Sequence, residues 1–129
     1  MKLTTITADG VFDAPGYHQG YRISDAESLI FISGQVAVGP DGGPIHVGDF
    51  GAQARSAFDA VKRLIEAGGS SLDRIVKLTI FVTDARYRQQ LNDARAEVFV
   101  GKVPPISVVQ VTALMRPEWL VEIEAIAVA

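Results

Sequence analysis

Two amphipathic helical segments constrain the fold more than any other feature of this sequence. The first follows Asp49, a predicted N-cap, and its apolar side chains recur at helical spacing: Phe50, Ala54, Ala57, Phe58, Val61, Leu64 and Ile65. Gly68 and Gly69 come next, and glycine readily takes the left-handed conformation that ends many helices. The second segment follows Asp84, a predicted cap, and ends before Gly101; its apolar stripe is Tyr87, Leu91, Ala94 and Val98.

Segments of β-type sequence surround these helices. SLIFISGQV, residues 28–36, is nearly continuous in apolar residues and is predicted to be a buried strand. Further strands are predicted at 75–83, near 107–113 and near 120–128. The order is therefore several strands, a helix, a strand, a helix and two strands, and two helices can cover only one face of such a sheet. The other face is rich in apolar residues, so we predict that the chain hides it in a homo-oligomer.

Composition excludes several classes of function. The chain has 129 residues, which indicates one domain over residues 1–129, and a formal net charge of −3. The basic residues are scattered, which argues against a nucleic-acid partner. No apolar run reaches the roughly 18 to 20 residues that span a bilayer. With no secretory leader visible in MKLTTITADG, we expect a cytoplasmic protein without a membrane partner.

Metal and cofactor chemistry find no support in the sequence either. There are no cysteines, and His18 and His46 are the only histidines, neither at a metal-type spacing from a carboxylate cluster. Neither GxxxxGK[ST] nor GxGxxG occurs, so no nucleotide cofactor is indicated. Ser33 stands in no nucleophile-elbow pattern. We therefore predict no metal site and no cofactor.

Two glutamates stand out in the last predicted strand, LVEIEAIAV. Glu122 and Glu124 are two residues apart, so their side chains lie on the same face of the strand. Burial would raise the pKa of such a carboxyl group and suit it to general acid or base chemistry. The alternative is that one or both glutamates lie at a solvated edge or in a salt bridge between subunits.

Three further polar positions could line a cleft. Gly34, in Ser33-Gly34-Gln35, interrupts a strand and indicates a bulge or the close approach of a ligand, or else close packing against a neighbour. Tyr17 follows a turn and could line a cleft or be a surface anchor. Asn92, on the second helix, is equally consistent with a solvated side chain.

Taken together, the segments resemble a known family. APGYHQGY, LIFISGQV, FGAQARSAFDAVKRLIEAGGSSLDRIVKLTIFVTD, LNDARAEVF and LVEIEAIAV are similar to the Rid family, the reactive intermediate deaminases of the YjgF or RidA type, over about residues 12–128. The resemblance implies a chorismate-mutase-like α+β fold, with two helices packed on one face of a mixed sheet. It also implies a homotrimer with ligand clefts between subunits, and hydrolysis of small imino and enamino acids to keto acids and ammonia without a cofactor.

The resemblance also implies roles for individual residues. Glu122 matches the glutamate that holds the attacking water, which makes it the candidate catalytic residue. The candidate substrate-binding residues that match the family's pocket positions are Tyr17, Ser33, Gly34, Asn92, Ile106, Ser107 and Val108.

One of these matches departs from the family pattern. Ile106 stands where the family has an arginine, in a P-x-R-S motif, that binds the substrate carboxylate; Val108 stands where cysteine or threonine is common. An apolar side chain cannot replace this ion pair, so we expect an altered substrate preference. The candidates for a substitute cation are Arg22, Arg88, Lys102 and Arg116.

Three functions follow as hypotheses. The first is a hydrolase or deaminase of reactive imine or enamine metabolites with an altered, less anionic substrate. The second is a non-catalytic trimeric protein that binds a neutral or apolar small molecule. The third is an endoribonuclease, an activity ascribed to some members of the family, and the acidic balance of the chain makes it the weakest.

Overall fold

The structure, a computed structural model, describes residues 1–129. Its regular elements, in chain order, are β1 (Lys2–Ile6), β2 (Gly20–Ser24), β3 (Leu29–Gln35), α1 (Phe50–Ala67), β4 (Ile75–Val82), α2 (Arg88–Val98), β5 (Ile106–Gln110) and β6 (Val121–Val128). Short 3-10 turns, Leu72–Arg74 and Ala85–Tyr87, precede β4 and α2.

The strands form a mixed sheet and a separate pair. The main sheet has four strands in the order β3-β6-β4-β5, while β1 and β2 form a two-stranded antiparallel sheet. β4 and β5 run parallel, with α2 as the crossover between them, and the other pairs of the main sheet are antiparallel. The predicted α+β architecture, two helices with a mixed sheet, is confirmed.

α1 covers the middle of one sheet face. Asp49 caps it by accepting a hydrogen bond from the Ala52 amide at 3.0 Å, as predicted. Its predicted stripe is buried in the main core except for Leu64, which is 43 % exposed. Leu64 lies at the edge of the stripe and does not belong to the core. At the end of the helix Gly69, with φ of +88°, takes the left-handed conformation.

α2 packs beside α1 on the same side of the sheet. Leu91 and Ala94 are buried in the common core, and the Tyr87 ring stacks on Phe50 with their centroids 4.3 Å apart. The prediction that Asp84 caps α2 itself is wrong. Its carboxylate caps the preceding 3-10 turn, accepting from the Arg86 amide at 2.9 Å.

The opposite sheet face carries no helix, and this changes the interpretation of β3. Ile30 and Ile32 pack against the core, whereas Leu29 and Phe31 are 59 % and 70 % exposed. The prediction of a buried strand is therefore wrong for one side of β3, because no element of this chain covers that side. We call this helix-free side of the main sheet the open face.

A buried glutamine fixes the start of β6. Gln53 of α1 is fully buried, and its side-chain amide donates to the carbonyl oxygens of Glu118 at 2.9 Å and His46 at 3.2 Å. Its Oε1 accepts from the Leu120 amide at 2.9 Å. All of these polar groups are thereby satisfied. The network sets the position from which β6 carries Glu122 across the open face.

None of the helices is both long enough and apolar enough to cross a membrane.

Candidate functional site

A cavity of about 370 Å³ lies between α2 and the edge strand β5. We call it the α2–β5 pocket; its walls are formed by Tyr17, Val82, Ala85, Arg88, Leu91, Asn92, Arg95, Ile106, Val108, Val109 and Gln110. Ile106 and Val108 pair with Leu78 and Ile80 of β4, so they lie on the helix side of the sheet. The floor of the pocket is therefore apolar.

The rim of the pocket is polar and largely cationic. Arg88, Asn92 and Arg95 are spaced four and three residues apart on α2, so they share one helix face. Tyr17 is held beside them by a bridge to Val103, in which the His18 amide donates to the Val103 carbonyl at 3.0 Å. The pocket thus combines two guanidinium groups, an amide and a phenol with an apolar floor.

Glu122 and Glu124 lie on the open face, away from this pocket. Glu122 is paired with Phe81 in the β4–β6 ladder, and Glu124 with Thr79. Ser107 of β5 pairs with Thr79 on its other side, so it lies on the same face as Glu124. Its hydroxyl group accepts a hydrogen bond from Lys77 Nζ at 3.0 Å. This part of the open face therefore contains two carboxylates and one ammonium group.

On the open face, the side chain of Glu122 lies very close to the backbone of Gly34. β3 bulges between Ile32 and Gln35, and at Gly34 a Cβ atom would lie 2.7 Å from both Cδ and Oε2 of Glu122. A side chain at position 34 would fit only if the Glu122 carboxyl group moved, so the carboxyl group occupies space that glycine leaves free. The predicted bulge is confirmed, and the group that approaches it is Glu122.

The surroundings of Glu122 alter its acidity. Partial burial, followed by the nearby negative charge of Glu124, raises the pKa of the Glu122 carboxyl group above its ordinary value. Glu124 itself is exposed. Of the two alternatives drawn from the sequence, Glu122 is a half-buried carboxyl group and Glu124 a solvated one. A raised pKa makes Glu122 a stronger base when ionised, which suits it to accept a proton from water.

The candidate residues divide into two groups. Tyr17, Asn92, Ile106 and Val108 are brought together in the α2–β5 pocket. Glu122 and Gly34 are in contact on the open face, where Ser107 also lies and Ser33 lines a shallow cavity of about 260 Å³ with Glu124. The sheet separates the two groups, so one chain does not unite them in a single cleft.

The candidate substitute cations also differ in their surroundings. Lys102 pairs with Asp13 at 3.3 Å, and Arg116 lies 3.7 Å from Glu118. Arg22 is exposed on β2, which leaves Arg88 as the only predicted candidate in the α2–β5 pocket.

Sequence reasoning missed Arg95, which lines the same pocket. Burial lowers the pKa of its guanidinium group. Its signal was its place on the face of α2 that also carries Arg88 and Asn92. No group of three or more histidine, aspartate or glutamate side chains is arranged to hold a metal ion.

Comparisons with known proteins agree with this architecture. Residues 13–129 match the model of the family described as Endoribonuclease L-PSP. A RutC family protein from Pyrococcus horikoshii is 35 % identical over 102 residues, which cover 79 % of this chain and 80 % of the relative.

Solved structures give the same result. TdcF from E. coli, determined with bound serine, is 36 % identical with a TM-score of 0.72, over 90 % of this chain and 93 % of that one. YyfB from Yersinia pestis, a Rid protein of unknown function, is 22 % identical and has a TM-score of 0.86 over the full length of both chains, which bears on the fold alone. Because the family match covers nearly the whole sequence, the chain belongs to the Endoribonuclease L-PSP family, the YjgF or Rid family.

Proposed function

We propose that the protein is a cytoplasmic hydrolase or deaminase that converts a reactive imine or enamine metabolite into a carbonyl compound and ammonia. The observation that carries this proposal is the half-buried Glu122 carboxyl group, which has a raised pKa and lies over Gly34. Such a group can hold a water molecule and accept a proton from it. No metal or organic cofactor is required for this reaction.

The proposed site forms between copies of the chain in a homotrimer. Within one chain the sheet lies between Glu122 and the α2–β5 pocket, so a second copy has to bring its carboxyl group to the pocket of the first. Exposed apolar side chains on the open face, such as Phe31 and Val109, support such an association. Hiding them would also further desolvate Glu122 and raise its pKa.

The proposed reaction balances with water as the only co-reactant. Glu122 accepts a proton as the water oxygen bonds to the imine carbon, and it passes this proton to the nitrogen, which has received the electron pair of the C=N π bond; the product is a carbinolamine. Glu122 then accepts the hydroxyl proton of the carbinolamine and passes it to the nitrogen as the C–N bond breaks and the C=O bond forms. Ammonia leaves, and the carboxylate is regenerated. An enamine first takes up a proton at carbon and loses one from nitrogen to become the imine.

Ile106 implies a substrate preference unlike that of relatives that carry arginine in its place. It contributes an apolar surface to the pocket floor, where a guanidinium group would otherwise bind a carboxylate. We infer that the substrate places an apolar group against Ile106 and Val108.

The test is ammonia release from a panel of imines generated in situ from amino acids and from neutral amines. We expect turnover, and a fall of roughly 10²- to 10⁴-fold in Glu122→Gln. Glu124→Gln is the matched control, since it removes a carboxylate two residues away on the same face, and it should change the rate little. Unchanged turnover in Glu122→Gln would contradict the role of Glu122. A monomer in light scattering would contradict the site between subunits.

A non-catalytic binding protein is the second candidate, and the apolar floor at Ile106 favours it. In that case thermal-shift screening should find a neutral ligand whose effect disappears in Ile106→Asp, with no ammonia released from any imine. Endoribonuclease activity is the weakest candidate, because the net charge of −3 and the carboxylates of the open face repel a phosphate backbone.

A further inference from the structure

Arg95 differs from most other arginines of the chain in having no acidic partner. Arg55, Arg63 and Arg86 each hold a carboxylate oxygen at 3.1 Å or less. No carboxylate lies within salt-bridge distance of Arg95, although Arg95 is half-buried while those three are exposed. A partly desolvated charge without a counter-ion is unfavourable unless something outside the chain compensates it.

The position of Arg95 indicates what would compensate it. It lines the α2–β5 pocket and also the adjoining cavity at Gly16 and Phe99, one turn of α2 from Asn92. Arg88 lies further towards the exposed start of the helix and faces the same pocket. The pocket walls contain no aspartate and no glutamate, so the field inside is positive.

We propose that Arg95 is the anion anchor of the α2–β5 pocket, with Arg88 at the mouth, and that the ligand is a small monocarboxylate whose apolar body rests on Ile106 and Val108. This inference rests on the proposed function, since it names the substrate class of the same site. It revises the expectation of a less anionic substrate: the charge is retained, and its binding group moves from β5 to α2.

A carboxylate is the anion that fits these surroundings best. A guanidinium group donates two parallel hydrogen bonds to a carboxylate, and Asn92 and Tyr17 can donate more from the same wall. The half-buried Arg95 matches one negative charge, whereas the second charge of a phosphate dianion would depend on the exposed Arg88, whose interactions are weakened by solvent and salt. The lowered pKa of Arg95 is consistent with the partial desolvation that strengthens such a pair.

Arg95 also has a purely structural interpretation, because it lies in the last turn of α2, where a cation stabilises the helix dipole. That role would affect the melting temperature of the ligand-free protein. It would not affect the preference for a charged ligand over a neutral one. The experiment therefore measures this preference.

The probes are α-ketoisovalerate and its neutral amide, which share the apolar body and differ in one negative charge. Binding of both to the full-length protein is measured by isothermal titration calorimetry. We expect the acid to bind roughly tenfold or more tightly than the amide, and Arg95→Gln to reduce the ratio to near one. Arg95→Lys should keep part of the preference and Arg88→Gln most of it. Arg63→Gln, which removes an exposed arginine of α1, should keep all of it.

Equal binding of acid and amide to the unmodified protein, or no binding of the acid at millimolar concentration, would overturn the proposal, and this comparison needs no variant to fold. A preference that survives in Arg95→Gln would also overturn it. Failure of the enzymatic proposal looks different: the acid binds through Arg95, but no imine releases ammonia. Conversely, hydrolysis of neutral imines, without tighter binding of the acid than of the amide, would contradict the role of Arg95 and support the proposed enzymatic function.

Discussion

The α2–β5 pocket and the open face are built on the same strands but have opposite chemistry. Leu78 and Ile106 point to the helix side, while their neighbours Thr79 and Ser107 point to the open face. The pocket carries two arginines and no carboxylate, whereas the open face carries Glu122 and Glu124. A shift of one residue along a strand thus separates a cationic binding surface from an acidic one.

The two regions also differ in what covers them. α1 and α2 bury the helix side of the sheet in one core, and the pocket is a gap at the edge of that cover. Nothing in the chain covers the open face, so apolar side chains such as Phe31 remain in solvent there. The two arginines of the pocket therefore lie beside the packed core, whereas Glu122 lies on a sheet face that no element of this chain covers.

A large effect is expected from Gly34→Ala, which would disturb the open face alone. The new methyl group would lie 2.7 Å from the Glu122 carboxyl group, which has to move. Because a displacement of about 1 Å can cost roughly 100-fold in rate, we expect a loss of ammonia release of that order. Binding of a carboxylate in the α2–β5 pocket, measured by calorimetry, should be unchanged.

Gly51→Ala serves as the control for this variant. It adds the same methyl group in the first part of α1, where the nearest atom is the flexible Arg55 guanidinium at 3.5 Å. This variant should keep full activity and gain slightly in stability. If Gly34→Ala released ammonia as fast as the unmodified protein, the reaction would not depend on the position of Glu122 over Gly34.

A smaller effect, roughly tenfold in affinity, is expected from Ile106→Arg in the Arg95→Gln background. Both side chains line the same pocket, so a guanidinium group on β5 should recover carboxylate binding that α2 has lost. Calorimetry with α-ketoisovalerate measures the recovery. Ile106→Lys gives a charge without a planar fork and should recover less. No recovery in either variant would mean that the floor and the α2 wall do not share one ligand site.

The smallest expected effect is a pH dependence of stability that arises from Glu122. Its pKa is raised in the folded protein, so the folded state binds more protons than the unfolded state between the two pKa values. The stabilising contribution is complete below the unfolded pKa and is lost as the pH rises through the folded one. Relative to Glu122→Gln, the natural protein should therefore lose stability as the pH rises from the ordinary pKa of a glutamate, about 4.3, through the raised pKa of Glu122 in the folded protein.

Urea unfolding at both ends of this range measures the difference, with Glu124→Gln as the comparison. Since Glu124 is exposed, its replacement should act mainly by relieving the repulsion on Glu122. A stability difference that does not depend on pH, or one that grows in the opposite direction, would contradict the raised pKa of Glu122.

The helices and most strands could be predicted because their signals are local. The stripe of α1, its Asp49 cap and the alternation of β4 depend on neighbours in the sequence, and they appear at nearly the predicted residues. The exposure of Leu29 and Phe31 could not be predicted, because an apolar side chain looks the same whether a helix, a second subunit or water faces it. Arg95 was missed for a related reason, since helical spacing alone does not reveal a missing counter-ion.

By itself, the sequence determined the α+β architecture, the two helices on one face and the family. These follow from periodicity, capping and ordered motifs, which are properties of the chain in order. Only the tertiary structure decided that Glu122 lies in the space left by Gly34, that the sheet separates it from Ile106, and that Arg95 faces the pocket without a partner. Strand register and the packing of α2 set these distances, and both depend on contacts between residues far apart in the chain.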